Sequence, residues 1–162
     1  MSLLFTVLPY VLVFITSLYL PYDPDLGWHL KYGEYFWHNH RLLNENIFST
    51  LMPNYYWINT SWLTDILTYS IFHYWGFVGL IVAGAIVITL TFYFFSKAAS
   101  LSLWSQILLF PPLLYALRVP NSISFRGQLL TFLLIGILFY LIQVYRRNPW
   151  LLFLTLPLFA FW

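Results

Sequence analysis

The sequence predicts an all-α protein that crosses a lipid bilayer several times. Its 162 residues are 61% hydrophobic and 23% aromatic, and only 7% of them are charged. A soluble domain normally has about 25% charged residues, so this chain has too few of them to cover a folded surface in water. Disordered proteins are excluded as well, because they are rich in charge and poor in aromatic side chains. Cysteine is absent, which excludes disulfide scaffolds, thiolate metal sites and cysteine nucleophiles.

Long uncharged runs give the order of the predicted elements. A membrane-spanning helix needs about 20 apolar residues, and the sequence predicts spans at 3–20, 76–96, 101–117, 127–145 and 150–162. In the third run, Pro111 and Pro112 predict a kink or a break. The last run stops before it is long enough to cross. We therefore expect four complete spans and a truncated fifth, in one transmembrane domain over 1–162 that is incomplete at its carboxyl end.

Basic residues predict the orientation. Lys97 and the Arg146-Arg147 pair fall in short connections, which carry Lys and Arg on the cytoplasmic side of membrane proteins. The opposite orientation has a similar count of basic residues inside, but two of them lie in a long loop, and long loops translocate largely regardless of charge. We therefore expect the protein in the plasma (inner) membrane, with the loop of about 21–75 on the external or periplasmic side.

That loop contains every acidic residue and every histidine of the chain. Loops longer than about 12 to 15 residues tend to be functional or disordered, and the aromatic content of this one argues against disorder. We predict two amphipathic helices that lie at the membrane interface, separated by a loop at 44–59. The first begins at an N-cap Asp23 and ends near Trp37. The second begins near Thr60 or Ser61 and ends before Gly76, where the second span begins.

The first amphipathic helix carries the strongest candidate site. Asp25 and His29 are spaced i, i+4 and share one helix face. A carboxylate beside a histidine at the membrane surface can act as a general base, bind a sugar hydroxyl or help to hold a divalent cation, although two ligands make an incomplete metal site. The alternatives are structural: Asp23 as a pure N-cap and Asp25 as a partner of the helix dipole.

Three segments resemble a known superfamily. They are DPDLGWHLKYGEYF at 23–36, SWLTDILTYSIFHYWGFVGL at 61–80 and SFRGQLLTFLL at 124–134. Together they resemble bacterial polytopic proteins of the GT-C glycosyltransferase superfamily, whose relatives include the dolichyl-phosphate-mannose protein mannosyltransferases and the lipid A aminoarabinose transferases. Two positions depart from the pattern of that group: Gly27 stands where a tryptophan is usual, and Ser61 stands where an acid is usual.

The resemblance implies a membrane glycosyltransferase that moves a sugar from a polyprenyl-phosphate donor to an acceptor hydroxyl on the external face. It implies Asp25 and Asp23 as catalytic residues. It also implies a divalent cation, Mg or Mn, held by Asp25 and His29, and four substrate-binding residues: His29, Asp65, Arg126 and Gln128.

Two other classes of function remain open. A polytopic transporter or flippase would also have a polar vestibule, but transporters usually carry ionisable residues or broken helices near the bilayer midplane, and the four complete spans contain no ionisable residue. The second open class is a noncatalytic subunit of a membrane assembly. The lipid bilayer is the expected partner, and a net charge of +2 gives no reason to expect a nucleic acid.

Overall fold

A computed structural model describes residues 3–19, 23–52, 55–56, 58–118, 127–145 and 149–160. Of these residues, 79% are helical, so the predicted fold class is confirmed at the level of a mostly helical protein. The elements are α1 (Leu3–Thr16), α2 (Leu26–Asn39), β1 (Glu45–Asn46), β2 (Tyr55–Tyr56), α3 (Trp62–Ala98), α4 (Leu103–Arg118), α5 (Gly127–Tyr145), a 3-10 turn (Pro149–Leu154) and α6 (Thr155–Ala160).

Two helices are long and apolar enough to cross a membrane by length and composition, Trp62–Ala98 and Gly127–Val144. Helix α1 is shorter than the predicted span at 3–20. Its end is set by hydrogen bonds of 3-10 type, in which the amide of Ser17 reaches the carbonyl of Phe14 and the amide of Leu18 reaches that of Ile15. Helix α4 continues through Pro111 and Pro112, so the break allowed for at these prolines does not occur.

Helix α3 is bent at Gly76, where the predicted boundary between amphipathic helix and span lies. The φ of 59° and ψ of −152° at Gly76 are open to glycine and strained for other residues. A Cβ on Gly79 would lie 3.2 Å from the carbonyl oxygen of Ile71. In a straight helix, residues eight positions apart in the sequence are separated by about 12 Å. The first arm of α3 (62–75) therefore folds back toward the second arm (77–98).

Helix α5 packs along both arms of α3. A Cβ on Gly127 would lie 3.5 Å from Oγ1 of Thr64, and one on Gly136 would lie 3.1 Å from the ring of Phe95. At 1.5 Å per residue these two contacts are about 14 Å apart along α5. Because α3 is bent at Gly76, Thr64 near its start and Phe95 near its end can both contact α5. The start of α3 therefore lies beside the start of α5.

Helix α1 packs against the second arm of α3 at its far end. The Tyr10 hydroxyl and Ser96 Oγ are 2.6 Å apart, and the rings of Tyr10 and Phe92 both pack against Phe110 of α4. The buried core runs through these helices and α2, and its members are Val13, Leu26, Leu80, Val87, Ile88, Phe92, Phe110 and Leu129.

Helix α2 and the segment after it differ in detail from the prediction. Helix α2 begins at Leu26 with Asp25 as its N-cap, so Asp23 is not the N-cap; its Oδ1 instead accepts a hydrogen bond of 2.9 Å from the amide of Asp25. The segment at 44–59, predicted as loop, contains the two-residue strands β1 and β2, which pair antiparallel with Glu45 opposite Tyr56.

Candidate functional site

The candidate site lies where the amino-terminal ends of α2, α3 and α5 meet. His29 lies in the first turn of α2, Asp65 in the first turn of α3, and Gly127 at the start of α5 faces Thr64. The first turn of a helix carries unpaired amide groups and a partial positive charge. Three such ends around one place favour negatively charged groups there, the Asp65 carboxylate among them.

A buried hydrogen-bond network joins α2 to α3 at this place. Oδ1 of Asp65 lies 2.6 Å from Nδ1 of His29, and Oδ2 accepts a 2.6 Å hydrogen bond from the side-chain amide of Asn59. Asn59 is itself oriented, because its Oδ1 accepts a hydrogen bond from the amide of Ser61. Asp65 is only 1% exposed, and a buried carboxylate needs such partners to offset its desolvation. The network fixes the position of the His29 ring.

Gly33 allows the close approach of α2 and α3. A Cβ at this position would clash with the carbonyl oxygen of Asp65 and the Cβ of Tyr69. The two helices are therefore in backbone contact one turn beyond His29, and this contact brings the imidazole within hydrogen-bond distance of Asp65.

A polar cavity of about 510 Å³ opens over this network. Its walls include Asp25, Trp28, His29, Tyr32, Met52, Tyr55, Asn59, Thr60, Ser61 and Asp65. Asp25 is exposed, in contrast to the buried Asp65. Burial, and to a smaller extent the negative charge of Asp65, raises the pKa of the Tyr32 hydroxyl. A tyrosine hydroxyl is protonated at neutral pH even at its ordinary pKa of about 10, so Tyr32 can donate a hydrogen bond there.

An apolar groove of about 920 Å³ adjoins the polar cavity. It runs between the first arm of α3 and α5, and leucines of both helices line it: Leu63, Leu67, Leu130, Leu133 and Leu134. His29, Thr60 and Ser61 line both the groove and the cavity. The two spaces therefore meet at these three side chains. Carboxylate, amide and phenol groups lie in the walls of the cavity, and the groove has mostly leucines together with Thr64, Gln128 and Thr131.

The structure brings together most of the residues that the sequence predicted. Asp25, His29 and Asp65 line one cavity. Gln128 lines the adjoining groove, and Asp23 is held against the backbone of Asp25. Arg126, the remaining predicted residue, lies outside the described residues.

A divalent cation at Asp25 and His29 would need further ligands. Within the part of the chain that the structure describes, no three side chains of the His, Cys, Asp or Glu type are grouped as a metal site. Both oxygens of the nearby Asp65 carboxylate already take part in hydrogen bonds. The described residues do not form a complete cation site, and no chemical step below depends on one.

Sequence reasoning missed two residues that build the site. Asn59 precedes the second amphipathic helix by three positions, and only its contact with Asp65 reveals its role. Gly33 is the other, and its lack of a side chain is what the approach of α3 requires. A glycine one turn after a polar face residue is a weak signal of close helix packing, and it could have been read as such.

No protein-family model matches the chain, and the comparisons with curated proteins and with solved structures found no match.

Proposed function

We propose that this protein is a membrane glycosyltransferase that moves a sugar from a polyprenyl-phosphate donor to an acceptor hydroxyl on the external face of the membrane. The observation that supports this proposal is the junction of the polar cavity with the apolar groove at His29, Thr60 and Ser61. A lipid-linked sugar has the same division, since its isoprenoid chain is apolar and its sugar is polar. The isoprenoid chain lies between α3 and α5, and the sugar lies in the cavity.

The phosphate of the donor lies at the junction. The amino-terminal ends of α2, α3 and α5 converge there, and helix amino termini bind phosphate through their free amides and their dipoles. Hydroxyl groups of Thr60 and Ser61 line the same junction and add hydrogen-bond donors, and the ring of His29 lies beside them. These groups stabilise the negative charge that grows on the phosphate as it departs.

Asp25 is the general base. Its carboxylate takes the proton from the acceptor hydroxyl while the hydroxyl oxygen attacks the anomeric carbon. A new bond forms between the acceptor oxygen and this carbon, the bond between the carbon and the phosphate oxygen breaks, and polyprenyl phosphate leaves with the electron pair. Asp23 supports the base by accepting the hydrogen bond from the Asp25 amide, and Asp65 orients His29 toward the junction.

Transfer measured in membranes that contain the protein tests the role of Asp25. With a radiolabelled polyprenyl-phosphate hexose as donor, we expect Asp25→Asn to lower the rate by about 10²- to 10⁴-fold, the usual contribution of a general base. Glu45→Gln is the matched control, because Glu45 is an exposed acid of the same loop that lines neither the cavity nor the groove. Equal rates for Asp25→Asn and the wild type would contradict the assignment.

Two further assays test the other classes of function and the divalent cation. Counterflow of the labelled lipid or of a solute in proteoliposomes, with no formation of a glycosidic bond, would identify a transporter. Loss of transfer on addition of a chelator and recovery with Mg²⁺ or Mn²⁺ would show that the expected divalent cation takes part.

A further inference from the structure

One wall of the polar cavity is aromatic. Trp28 and Tyr32 are one turn apart on α2, and their rings are stacked with centroids 6.5 Å apart and an interplanar angle of 29°. Phe48, from the segment after β1, packs edge-on against both rings at 6.1 and 5.4 Å. Edge-to-face packing of this kind is favourable, so Phe48 holds the two rings in one orientation. Trp28 is nonetheless 47% exposed, which leaves indole surface open to a ligand.

The remaining walls of the cavity are polar. Asp25 and Asn59 supply carboxylate and amide groups, and the Tyr32 hydroxyl supplies a hydrogen-bond donor. A ligand for this cavity therefore has an apolar face and hydrogen-bonding groups around its edge. A pyranose ring has this form, because its axial C–H bonds line one face while its hydroxyls project from the perimeter.

Charge decides which part of a lipid-linked sugar enters the cavity. The faces of aromatic rings are electron-rich and repel anions, and the exposed carboxylate of Asp25, which lines the cavity and not the groove, adds negative charge. The phosphate is therefore disfavoured inside the cavity and remains at the junction with the groove. A sugar that carries a carboxylate is disfavoured for the same reason.

We infer that Trp28 and Tyr32 form the sugar-binding platform of the donor site, with the indole of Trp28 against the C–H face of a hexose that carries no carboxylate. This inference rests on the proposed function and adds the position and the class of the sugar. Trp28 contributes to donor binding and Asp25 to the chemical step.

Binding of the donor lipid to the protein in nanodiscs tests the inference. The probes are polyprenyl phosphate alone and polyprenyl phosphate that carries glucose, mannose, N-acetylglucosamine or glucuronic acid. The wild type is expected to prefer at least one uncharged sugar lipid over the sugarless lipid, and Trp28→Ala is expected to lower this preference by about tenfold. Trp28→Phe should retain most of it. Trp104→Ala is the control, since Trp104 is 79% exposed on α4 and lines neither space.

Each outcome bears on one claim. If the wild type prefers an uncharged sugar lipid and Trp28→Ala keeps that preference in full, the platform is wrong while the donor class stands. If the glucuronic acid lipid binds best, the argument from charge is wrong. If the wild type binds no sugar lipid better than polyprenyl phosphate alone, both the platform and the proposed donor are contradicted. Trp28→Ala with normal thermal unfolding excludes a general loss of fold as the cause.

Discussion

Two hydrogen-bonded side-chain pairs that involve α2 have the same distance but differ in burial, which changes their contribution to stability. His29 and Asp65 are 2.6 Å apart, and so are Lys31 and Glu34. The side chain of Asp65 is 2% exposed and that of Lys31 is 62% exposed. Water screens the exposed pair, so it contributes little to stability. Removal of His29 leaves the Asp65 carboxylate inside the protein with fewer partners, which is costly.

A double-mutant cycle measures this difference. We expect His29→Ala and Asp65→Ala to be strongly non-additive, with a coupling free energy in the upper part of the range of about 0.5–3 kcal/mol found for contacting residues. The matched cycle of Lys31→Ala and Glu34→Ala should give a much smaller coupling. The measurement is the free energy of unfolding in detergent. Equal coupling for the two pairs would contradict the structural role given to Asp65.

These pairs also show what sequence reasoning can reach at the level of residues. Asp25 and His29 could be placed on one face because a helix fixes the i, i+4 relation. The partner of His29 is in another helix, 36 positions along the chain, and no local rule relates the two. The resemblance to a family indicated that Asp65 matters, and only the packing of α2 on α3 shows that it contacts His29.

At the level of elements, two glycines determine where helices approach and where one turns. Gly76 lies at the predicted boundary of a span, and its positive φ bends α3. Sequence reasoning found the boundary from length, since 62–96 is too long for one crossing. It could not give the direction of the bend, which depends on the packing of both arms against α5 and α2. The first arm consequently contacts the second arm near the bend. The periodicity of apolar residues in the sequence cannot predict this contact.

The close packing at Gly33 leads to a prediction about the approach of α2 to α3. We expect Gly33→Ala to destabilise the protein by about 1–3 kcal/mol, because the added methyl group overpacks a backbone contact. Gly27→Ala on the same helix has no atom within 4 Å of the added Cβ and should be neutral or stabilising by up to about 1 kcal/mol, since alanine is the better helix former. Chemical denaturation of the two variants side by side measures both effects. A harmless Gly33→Ala would mean that the two helices are farther apart than described.

On the scale of the whole molecule, the second arm of α3 and helix α5 run in the same direction, since Gly136 lies beside Phe95 and Gln143 hydrogen-bonds to Ser100, just past the end of α3, at 2.8 Å. The starts of α3 and α5 both lie at the site. Helix α1 also contacts the far end of α3, with Tyr10 beside Ser96. The site and the turn at 99–102 therefore lie at opposite ends of this bundle. Composition predicted the helices and their apolar character, but it could not show that three helix starts converge, because convergence depends on contacts between distant segments.

The separation of the two ends gives a prediction about membrane topology. The second arm of α3 is about 33 Å long at 1.5 Å per residue, comparable with the hydrocarbon thickness of about 30 Å. Lys97 near its end favours the cytoplasmic side for the turn at 99–102, and we therefore propose that the loop that carries Asp25 is external. The native chain has no cysteine, and single cysteines can therefore be introduced without background. In intact cells, a membrane-impermeant maleimide should label Leu51→Cys, whose native side chain is 91% exposed, and should label Ala99→Cys only after permeabilisation. The reverse pattern would invert the orientation, and labelling of both from outside would contradict a crossing by the second arm of α3.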